Sequence, residues 1–396
     1  MESLYTISQR RIASIKTVFH RYLFDKIEWD DRLIAIKGPR GTGKTTMMLQ
    51  YIKENFGTSR KAVYISLDHL YFANNSLLDF VEFHYTRGGT VICIDEVHKY
   101  PEWQTAIKNI YDSYPDLKIV YSGSSMLEID YRKGDLSRRQ ALYELQGLSF
   151  REYLEFESIM HLPAMTFSEM LEQNEAVSAE IANKVKIIPL FHDYLKRGYY
   201  PFYKEVKGNY DLRIVDMANQ VIESDMPAVE DVLYSTIEKT KRMLMILAAS
   251  VPQTPKMTHL YRELDTDREL GLKMMNALER GGLLSLLRYN VASITKLSKP
   301  DKILLDNPNL AYALSCNADI GSIRESFFCN QAGEHSELLL DRNGDFKVDG
   351  KYIVEVGGKR KDFTQIANLP DNYLAVDDTE YGLGHRIPLW MFGLLY

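Results

Sequence analysis

A glycine-rich run in the first fifty residues has the composition and spacing of an anion-binding loop. It fits the pattern G-x-x-x-x-G-K-[ST] and lies between an apolar segment, Leu33–Lys37, and a segment with helical character. Glycines let successive backbone N–H groups turn inward around an anion, and the start of a helix reinforces that cradle. A plain glycine-rich turn with a surface lysine is the alternative, which the flanking elements disfavour. We therefore predict that these residues hold the phosphates of a nucleotide: Gly38, Pro39, Arg40, Gly41, Thr42, Gly43, Lys44, Thr45 and Thr46.

Two carboxylates follow a second apolar segment. The buried-strand candidate Val91–Ile94 is followed directly by Asp95 and Glu96. In an open parallel sheet, ligands bind at the carboxyl ends of the strands. We expect Lys44 to contact the β- and γ-phosphates, and Thr45 and Asp95 to hold Mg²⁺. Glu96 is then placed to orient and deprotonate an attacking water.

Two weaker elements complete the predicted hydrolytic site. The segment Lys118–Ser125 is a strand that ends in small polar residues, and Ser124, or alternatively Ser125, is expected to contact the γ-phosphate or the water. Arg138 and Arg139 precede the next strand candidate. An arginine there can stabilise charge in the transition state, either across a subunit boundary or within the same chain.

The bulk composition excludes several classes of protein. The 396 residues carry a net charge of −6, which gives no general indication of a nucleic-acid or membrane protein. The amino terminus has no secretory signal, and the longest apolar run, Met243–Val251, is too short to cross a bilayer. The three cysteines are scattered, which fits a reducing compartment. We expect a cytoplasmic protein with no membrane contact.

The elements that must position these residues alternate between strand and helix. A helix is predicted over Ile7–Asp25, and buried strands over Leu33–Lys37, Ala62–Leu67, Thr90–Ile94, Lys118–Tyr121 and Ala141–Leu145. This alternation predicts an α/β domain with a parallel sheet. Helical patterns then continue to the stop at Gly281-Gly282. From about residue 320 short strand candidates return, at Glu337–Leu340, Asp345–Val348, Lys351–Val356 and Ile387–Phe392.

The pattern predicts four domains. They are a P-loop α/β nucleotide-binding domain (1–148), a helical segment (149–235), a winged-helix domain (236–315) and a small α+β domain (316–396). Residues 236–289 hold nine Lys or Arg against six Asp or Glu, so the helix Asp267–Arg280 is a candidate for the major groove of double-stranded DNA. Packing against a protein is the alternative. His98, Trp103 and His192 are interpreted as ordinary loop and packing residues.

Three segments resemble a known family: GPRGTGKTT, IDEVHKYPEWQTAIKNIYDSYPDLKIVYSGSSMLEI and LSRRQALYELQGLSFREYL. They are similar to prokaryotic AAA+ ATPases of the archaeal-type ATPase group, whose C-terminal half is a domain of unknown function with a restriction-endonuclease-like core. The later segments KILLDNPNLAYAL, GSIRESFFCNQ, DFKVDGKYIVEVGGK and IPLWMFGLLY resemble that half. The resemblance implies ATP as the nucleotide, with Lys44, Thr45, Asp95 and Glu96 as binding and hydrolysis residues, Ser124 as a polar sensor and Arg139 as the arginine of a Leu-Ser-x-Arg segment. Residue 138 is Arg where the family usually has Gly, so the choice between the two arginines stays open.

Nucleases with this core use an early Glu, an Asp and a Glu-x-Lys on one strand. The candidates are Glu325, Asp345 (or Asp349) and Glu355, but Gly357 occupies the lysine position, with Lys359 two residues further on. Residues 320–396 carry eight Lys or Arg against twelve Asp or Glu, which disfavours phosphate binding, so we expect an inactive nuclease fold.

Three classes of function remain. The first is an ATPase that hydrolyses ATP with Mg²⁺ to rearrange its C-terminal domains, and the second is an ATP-regulated protein that binds or cleaves DNA. The third is a nucleotide-binding scaffold with little turnover. A second copy of the chain or another protein is a candidate partner.

Overall fold

The computed structural model describes residues 1–124, 136, 138–206, 208–229, 232–250, 256–289, 299–315 and 318–396. The chain forms two compact units. Unit 1 comprises Met1–Gly147 and Ser224–Asp231, and unit 2 comprises Leu148–Glu223 and Val232–Tyr396. Unit 1 is therefore discontinuous in sequence, since a short segment from the middle of the chain belongs to it. Within the described ranges, no helix has both the length and the apolar character that a membrane span requires.

Unit 1 is built on a sheet of five parallel strands. The elements in chain order are α1 (Glu2–Ser14), β1 (Leu33–Gly38), α2 (Lys44–Phe56), β2 (Ala62–Ser66), α3 (Leu77–Tyr85), β3 (Val91–Asp95), α4 (Trp103–Ser113), β4 (Lys118–Ser124) and β5 (Ala141–Glu144). The strand order is β2-β3-β4-β1-β5. The α/β prediction with a parallel sheet and crossover helices is confirmed.

The sheet of unit 1 is buried on both faces, which explains its continuous apolar strands. Successive residues of β1 point to opposite faces. Leu33 and Ala35 join a core cluster with residues of α3 and α4, and Ile34 and Ile36 join a second cluster with residues of α2. Both faces thus need apolar side chains, so the strands show no alternation of polar and apolar residues.

The first helix differs from the prediction of Ile7–Asp25, because α1 ends at Ser14. The following backbone carbonyls are bonded by side chains of α2 instead of by helical N–H groups. Gln50 donates to the carbonyls of Lys16 and Phe19, both at 2.8 Å, and Lys53 donates to that of Ile15 at 2.6 Å. Tertiary hydrogen bonds therefore replace the helical ladder that the apolar spacing suggested.

Unit 2 begins with helices. Its first elements are α5 (Phe150–Phe156), α6 (Phe167–Lys184), α7 (Ile187–Arg197) and α8 (Tyr210–Gln220). The short helix α9 (Met226–Val229) follows in the segment that belongs to unit 1. Unit 2 continues with α10 (Tyr234–Ser250), α11 (Met257–Glu263), α12 (Arg268–Arg280), β6 (Leu284–Leu287), β7 (Lys302–Leu305) and α13 (Pro308–Leu314). Strands β6 and β7 pair in an antiparallel manner, directly after the helix that we predicted as a DNA-reading element.

The last part of unit 2 is a mixed sheet. It contains α14 (Ile320–Gly333), β8 (Leu338–Leu340), β9 (Phe346–Val348), β10 (Tyr352–Gly357), β11 (Asn372–Val376) and β12 (Arg386–Pro388), with the strand order β12-β11-β10-β9-β8. Strand β11 was not predicted. The strand predicted over Ile387–Phe392 is instead the end of β12 followed by a 3₁₀ helix, Leu389–Leu394. The division into four domains, with its winged helix and endonuclease-like part, stays a prediction.

A buried histidine links three elements of unit 1. His84 of α3 is fully buried, and its Nε2 lies 3.0 Å from the carbonyl oxygen of Val91. Its Nδ1 lies 2.5 Å from the hydroxyl of Tyr5 in α1. The neutral tautomer with a proton on Nε2 satisfies both contacts. Burial lowers the pKa of His84 to about 4, although the hydrogen bond to Val91 opposes the shift.

This histidine makes the stability of unit 1 depend on pH. Because the folded-state pKa lies below the unfolded value of about 6.5, the unfolded chain binds the proton first. The contribution of neutral His84 to the free energy of unfolding is complete above pH 6.5. It is lost as the pH falls towards 4, and the total loss is about 3 kcal/mol. Urea unfolding of the wild type and of His84→Gln across this range measures it. Parallel pH profiles in the two proteins would contradict the assignment.

Candidate functional site

Four strands of unit 1 end at the same edge of the sheet. Gly38 at the end of β1 pairs with Ser124 at the end of β4, and Asp95 at the end of β3 pairs with Ser66 of β2. Parallel strands bring their carboxyl ends together, and this edge is where ligands bind in such sheets. The structure therefore brings the glycine-rich loop, Asp95 and Ser124 to one place.

The loop between β1 and α2 needs glycine at its two ends. A side chain at Gly38 would place its Cβ 2.2 Å from the carbonyl oxygen of Leu145, and the φ of Gly38 is +156°. Gly43, the residue before α2, has a φ of 99° in the left-handed region, which favours glycine. Among the residues that the structure describes, no side chain caps the amides of the first turn of α2. Those amides are thus available to an anion.

Lys44 lies inside the loop and not on the surface. Its side chain is buried, and its ammonium donates to the carbonyl oxygens of Gly38 at 2.7 Å and Pro39 at 2.8 Å. Burial lowers the pKa of Lys44, and the nearby carboxylates of Glu96 and Asp95 oppose that shift. A surface lysine is thereby excluded, and the ammonium is held within the cradle that the sequence predicted.

Asp95 is held by three hydroxyl groups. Its Oδ2 accepts hydrogen bonds from Thr45 at 2.5 Å and from Tyr64 at 2.7 Å, and its Oδ1 accepts one from Ser122. Burial, and then the charge of Asp95, raise the pKa of Tyr64, so this hydroxyl stays protonated and donates. The predicted pair Thr45 and Asp95 is therefore in direct contact.

Tyr64 and Ser122 were missed in the sequence analysis, although a signal for one of them existed. Ser122 precedes Ser124 by two residues on the same strand, so both side chains point to one face. Tyr64 lies in the middle of β2, whose pairing beside β3 the sequence does not specify.

Glu96 lies next to an unexpected cluster of charged side chains. Its φ of 54° is unusual for a residue with a side chain. Its Oε2 is 3.2 Å from Nε2 of His98 and 3.7 Å from Nη2 of Arg40. His98, interpreted from the sequence as an ordinary loop residue, lies in the short 3₁₀ helix Val97–Lys99 and is buried beside the predicted base.

The same cluster includes Asp225 from the separate segment of unit 1. Its carboxylate is fully buried and accepts hydrogen bonds from Nε of Arg40 at 3.1 Å and from Nη2 at 2.9 Å. Nε2 of His98 is 3.4 Å from Asp225, and Nζ of Lys99 is 3.6 Å from it. Burial alone would raise the pKa of Asp225, but His98 and Arg40 hold it well below its usual range. No local pattern in the sequence indicated this residue.

The other predicted residues are placed differently. Ser124 is buried at the end of β4, beside the loop, whereas Ser125 lies outside the described residues. Arg139 forms an ion pair with Asp112, near the end of α4, at 3.4 Å. It also lies just before β5, and the first residue of β5 is paired with Ile34 near the start of β1. Arg138 is the preceding residue and is exposed. Both arginines are therefore at the opposite edge of the sheet from Lys44, so the same-chain role for them does not fit.

The carboxylates predicted from nuclease chemistry are paired with lysines. In unit 2, Lys302 lies 2.7 Å from Glu325, and Lys361 contacts Glu355. Burial raises the pKa of both glutamates, and the paired lysines oppose that shift. Asp345 accepts a hydrogen bond from the amide of Val356 at 2.8 Å. The two lysines thus neutralise the carboxylate charges that a metal ion would need for binding.

Gly357, at the expected lysine position, has a steric role. A Cβ there would lie 2.7 Å from Cγ of Lys361, so the missing side chain leaves room for Lys361 to reach Glu355. Lys359, the candidate from the sequence, is exposed. Asp349, the alternative to Asp345, lies in a turn with a φ of 51°, where it accepts from the amide of Glu337 at 2.9 Å.

Another cluster in unit 2 surrounds His192. Its Nε2 lies 3.1 Å from Asp378 and 3.7 Å from Asp377. Arg324 donates from Nε to Asp377 at 2.8 Å. With this guanidinium in place, the cluster is an ion-pair network, and it carries no argument for a metal.

The comparisons with known proteins agree with the geometry of unit 1. Residues 30–154 match the family model described as AAA domain. That segment includes β1, the loop, Asp95, Glu96 and Ser124, although it covers less than half of the chain. The match and the five-stranded parallel sheet support a nucleotide-binding P-loop domain of the AAA type in unit 1. No curated protein matches the chain.

Several solved structures are similar at low identity. AMPPCP-bound DnaA from Aquifex aeolicus is 18% identical with a TM-score of 0.27, covering 65% of this chain and 84% of that one. A mutant of RuvB from Thermotoga maritima is 14% identical with a TM-score of 0.31, covering 72% and 87%. PCH-2 of C. elegans is 15% identical with a TM-score of 0.26, covering 70% and 67%. TM-scores at this level support no inference about this chain.

The pair of Lys361 and Glu355 predicts a measurable contribution to the stability of unit 2. Lys361→Ala leaves a buried carboxylate without its cation, and we expect a loss of about 1–3 kcal/mol in the free energy of unfolding. Adding Glu355→Gln to that variant should recover part of the loss. Lys359→Ala, an exposed lysine two residues away, is the control. Chemical unfolding followed by tryptophan fluorescence measures all four proteins, and equal losses for the two lysines would exclude the pairing as the cause.

Proposed function

We propose that this protein binds ATP with Mg²⁺ at the sheet edge of unit 1 and hydrolyses it. The observation that carries the proposal is the hydrogen bond of 2.5 Å between Thr45 and Asp95, next to the buried ammonium of Lys44. A hydroxyl and a carboxylate in contact at the start of a helix, with a cation inside the loop, are the parts that P-loop proteins use on Mg²⁺ and phosphate.

The residues around Asp95 suit a hard cation. Thr45, Tyr64 and Ser122 supply only oxygen atoms around the carboxylate, and Mg²⁺ prefers oxygen ligands. Thr45 and Asp95 are the residues that would hold the ion. When bound, the ion neutralises charge that develops on the phosphate oxygens.

The loop residues, from Gly38 to Thr46, bind the polyphosphate through their amides, and Lys44 exchanges its two carbonyl partners for phosphate oxygens. Glu96 accepts a proton from a water as the water oxygen bonds to the γ-phosphorus. The bond from that phosphorus to the bridging oxygen breaks, which yields ADP and inorganic phosphate. Ser124, at the end of the neighbouring strand, contacts the γ-phosphate or the water.

Further parts of the proposal concern the rest of the chain. We propose that turnover rearranges the C-terminal domains, in the four-domain division given above, and that the protein is cytoplasmic. Because Arg139 lies at the far edge of the sheet, its role requires a neighbouring copy of the chain. The basic segment 236–289, which includes α12 and β6, keeps double-stranded DNA as a candidate partner. Cleavage of DNA is not proposed, because lysines neutralise Glu325 and Glu355.

Removing the ammonium inside the loop tests binding. We expect Lys44→Ala to weaken ATP binding by at least about 100-fold, because a buried cation is removed from the phosphates. Lys61→Ala, an exposed lysine before β2, is the control. Titration calorimetry with a non-hydrolysable ATP analogue and Mg²⁺ measures the affinities. Unchanged affinity in Lys44→Ala would refute the site.

Neutralising the predicted base separates an ATPase from a nucleotide-binding scaffold. We expect Glu96→Gln to reduce ATP turnover by about 100-fold or more, since the water loses its proton acceptor, while ATP stays bound. Phosphate release at saturating ATP gives turnover, and retention of radiolabelled ATP on a filter gives occupancy. Equal turnover in the wild type and Glu96→Gln would favour the scaffold.

A further inference from the structure

Arg40 occupies a position in the phosphate loop from which a cation can act within the same chain. It is the third residue of the loop, and its Nη2 lies 3.7 Å from the carboxylate of Glu96. Its side chain is mostly buried, with 23% exposed. From its sequence position, Arg40 was predicted only as one of the loop residues around the phosphates. The arginines singled out for charge stabilisation, 138 and 139, lie at the far edge of the sheet.

The orientation of Arg40 is fixed from outside the loop. Its Nε and Nη2 form a two-pronged contact with the carboxylate of Asp225, at 3.1 and 2.9 Å. Such paired contacts fix the plane of the guanidinium as well as its position. Among the described residues, Nη1 has no hydrogen-bond or ion-pair partner. Asp225 therefore holds one edge of the guanidinium and leaves the remaining amino group for a ligand.

Asp225 is itself firmly held. Its carboxylate is fully buried and also faces His98 and Lys99, and Lys99 bonds the hydroxyl and the carbonyl of Ser224. Met226, the next residue, is buried, and Val229 packs against a core cluster of unit 1. The segment 224–229 is thus anchored by both polar and apolar contacts, although 76 residues of unit 2, Leu148–Glu223, precede it in the chain.

Two carboxylates face the same basic side chains. His98 and Arg40 both face Glu96 and Asp225. Nη2 of Arg40 lies 2.9 Å from the carboxylate of Asp225 and 3.7 Å from that of Glu96, so Arg40 is closer to Asp225. If Asp225 lost its charge, Glu96 would be the remaining carboxylate for Arg40 in this cluster. A guanidinium bound tightly to Glu96 would lower the basicity of that carboxylate and turn it away from water.

We propose that Asp225 is a positioning residue of the ATP site: it holds Arg40 away from Glu96 and directs its free amino group towards the γ-phosphate. Arg40 then stabilises negative charge on the transferred phosphate within the same chain, which is the role that arginines play in phosphoryl transfer. Asp225 lies in the segment Ser224–Asp231, and the chain on both sides of this segment belongs to unit 2. ATP turnover therefore depends on where this segment is placed. This inference rests on the proposed function.

The first test compares binding with turnover in the full chain. We expect Asp225→Asn to lower kcat for ATP hydrolysis by about 10- to 100-fold, and the Kd of a non-hydrolysable analogue to change by less than about 3-fold. Asp225→Glu should regain part of the rate. Glu223→Gln is the control, because this neighbouring carboxylate is half exposed and pairs with Lys241. An unchanged kcat in Asp225→Asn overturns the proposal, and a faster one does so too, since it would show that Asp225 restrains Arg40.

The second test uses free guanidinium and does not depend on the stability of Asp225→Asn. Arg40→Ala should lose turnover to a similar extent, and millimolar guanidinium should restore at least about 5-fold of it, since Asp225 still binds and orients the small cation. The double variant Arg40→Ala with Asp225→Asn should not respond, and equal rescue of both variants would overturn the role of Asp225. If the wild type shows no ATP turnover, or if Lys44→Ala binds ATP as tightly as the wild type, the proposed function itself is refuted. A wild type that turns over ATP, beside an Asp225→Asn variant with the same kcat, refutes only the present inference.

Discussion

The parallel register of β1, β3 and β4 is the constraint on which the site depends. It brings the start of α2 beside the end of β3, and so places the Thr45 hydroxyl against the Asp95 carboxylate. A slip by one residue would turn every side chain of a strand to the other face of the sheet. Burying the Asp95 carboxylate costs several kcal/mol unless hydrogen bonds compensate, and Tyr64 and Ser122 complete that compensation. The contacts that stabilise the carboxylate at this edge of the fold are thus the same ones on which the proposed cation site rests.

The parts of unit 1 that the sequence predicts are those with a local cause. Strands buried on both faces must be continuously apolar, so Leu33–Gly38 and Val91–Asp95 could be found without any knowledge of their neighbours. The loop needs glycine at fixed offsets, because a Cβ at position 38 would collide with Leu145 and residue 43 is left-handed. Lys44 inside the loop follows from the same pattern. Each of these features is encoded within about ten residues.

The parts that were missed depend on contacts between distant residues. Arg40 and Asp225 are separated by 185 positions, and neither residue type predicts the other. The helix predicted over Ile7–Asp25 ends at Ser14, because Gln50 and Lys53 bond the carbonyls that a longer helix would have used. In unit 2, Lys361 reaches Glu355 across Gly357, so the cation comes from a position that no spacing rule gives. Tertiary partners decided all three outcomes.

The charges around the loop suggest why a distant aspartate belongs to this site. A polyphosphate approaching Asp95, Glu96 and Asp225 would be repelled unless those carboxylates were matched by cations. Lys44 lies within the loop, the oxygens around Asp95 suit a metal ion, and Arg40 matches Asp225 through two contacts. The nearest side-chain partner of Glu96 lies at 3.2 Å, against a partner at 2.5 Å for Asp95 and one at 2.9 Å for Asp225, so the Glu96 carboxylate is the one least tightly bound by its neighbours. A base must keep that freedom in order to accept a proton. In the proposed mechanism Asp225 keeps Glu96 available, so the proposed ATP site extends beyond residues 30–154, the continuous segment that matches the AAA domain.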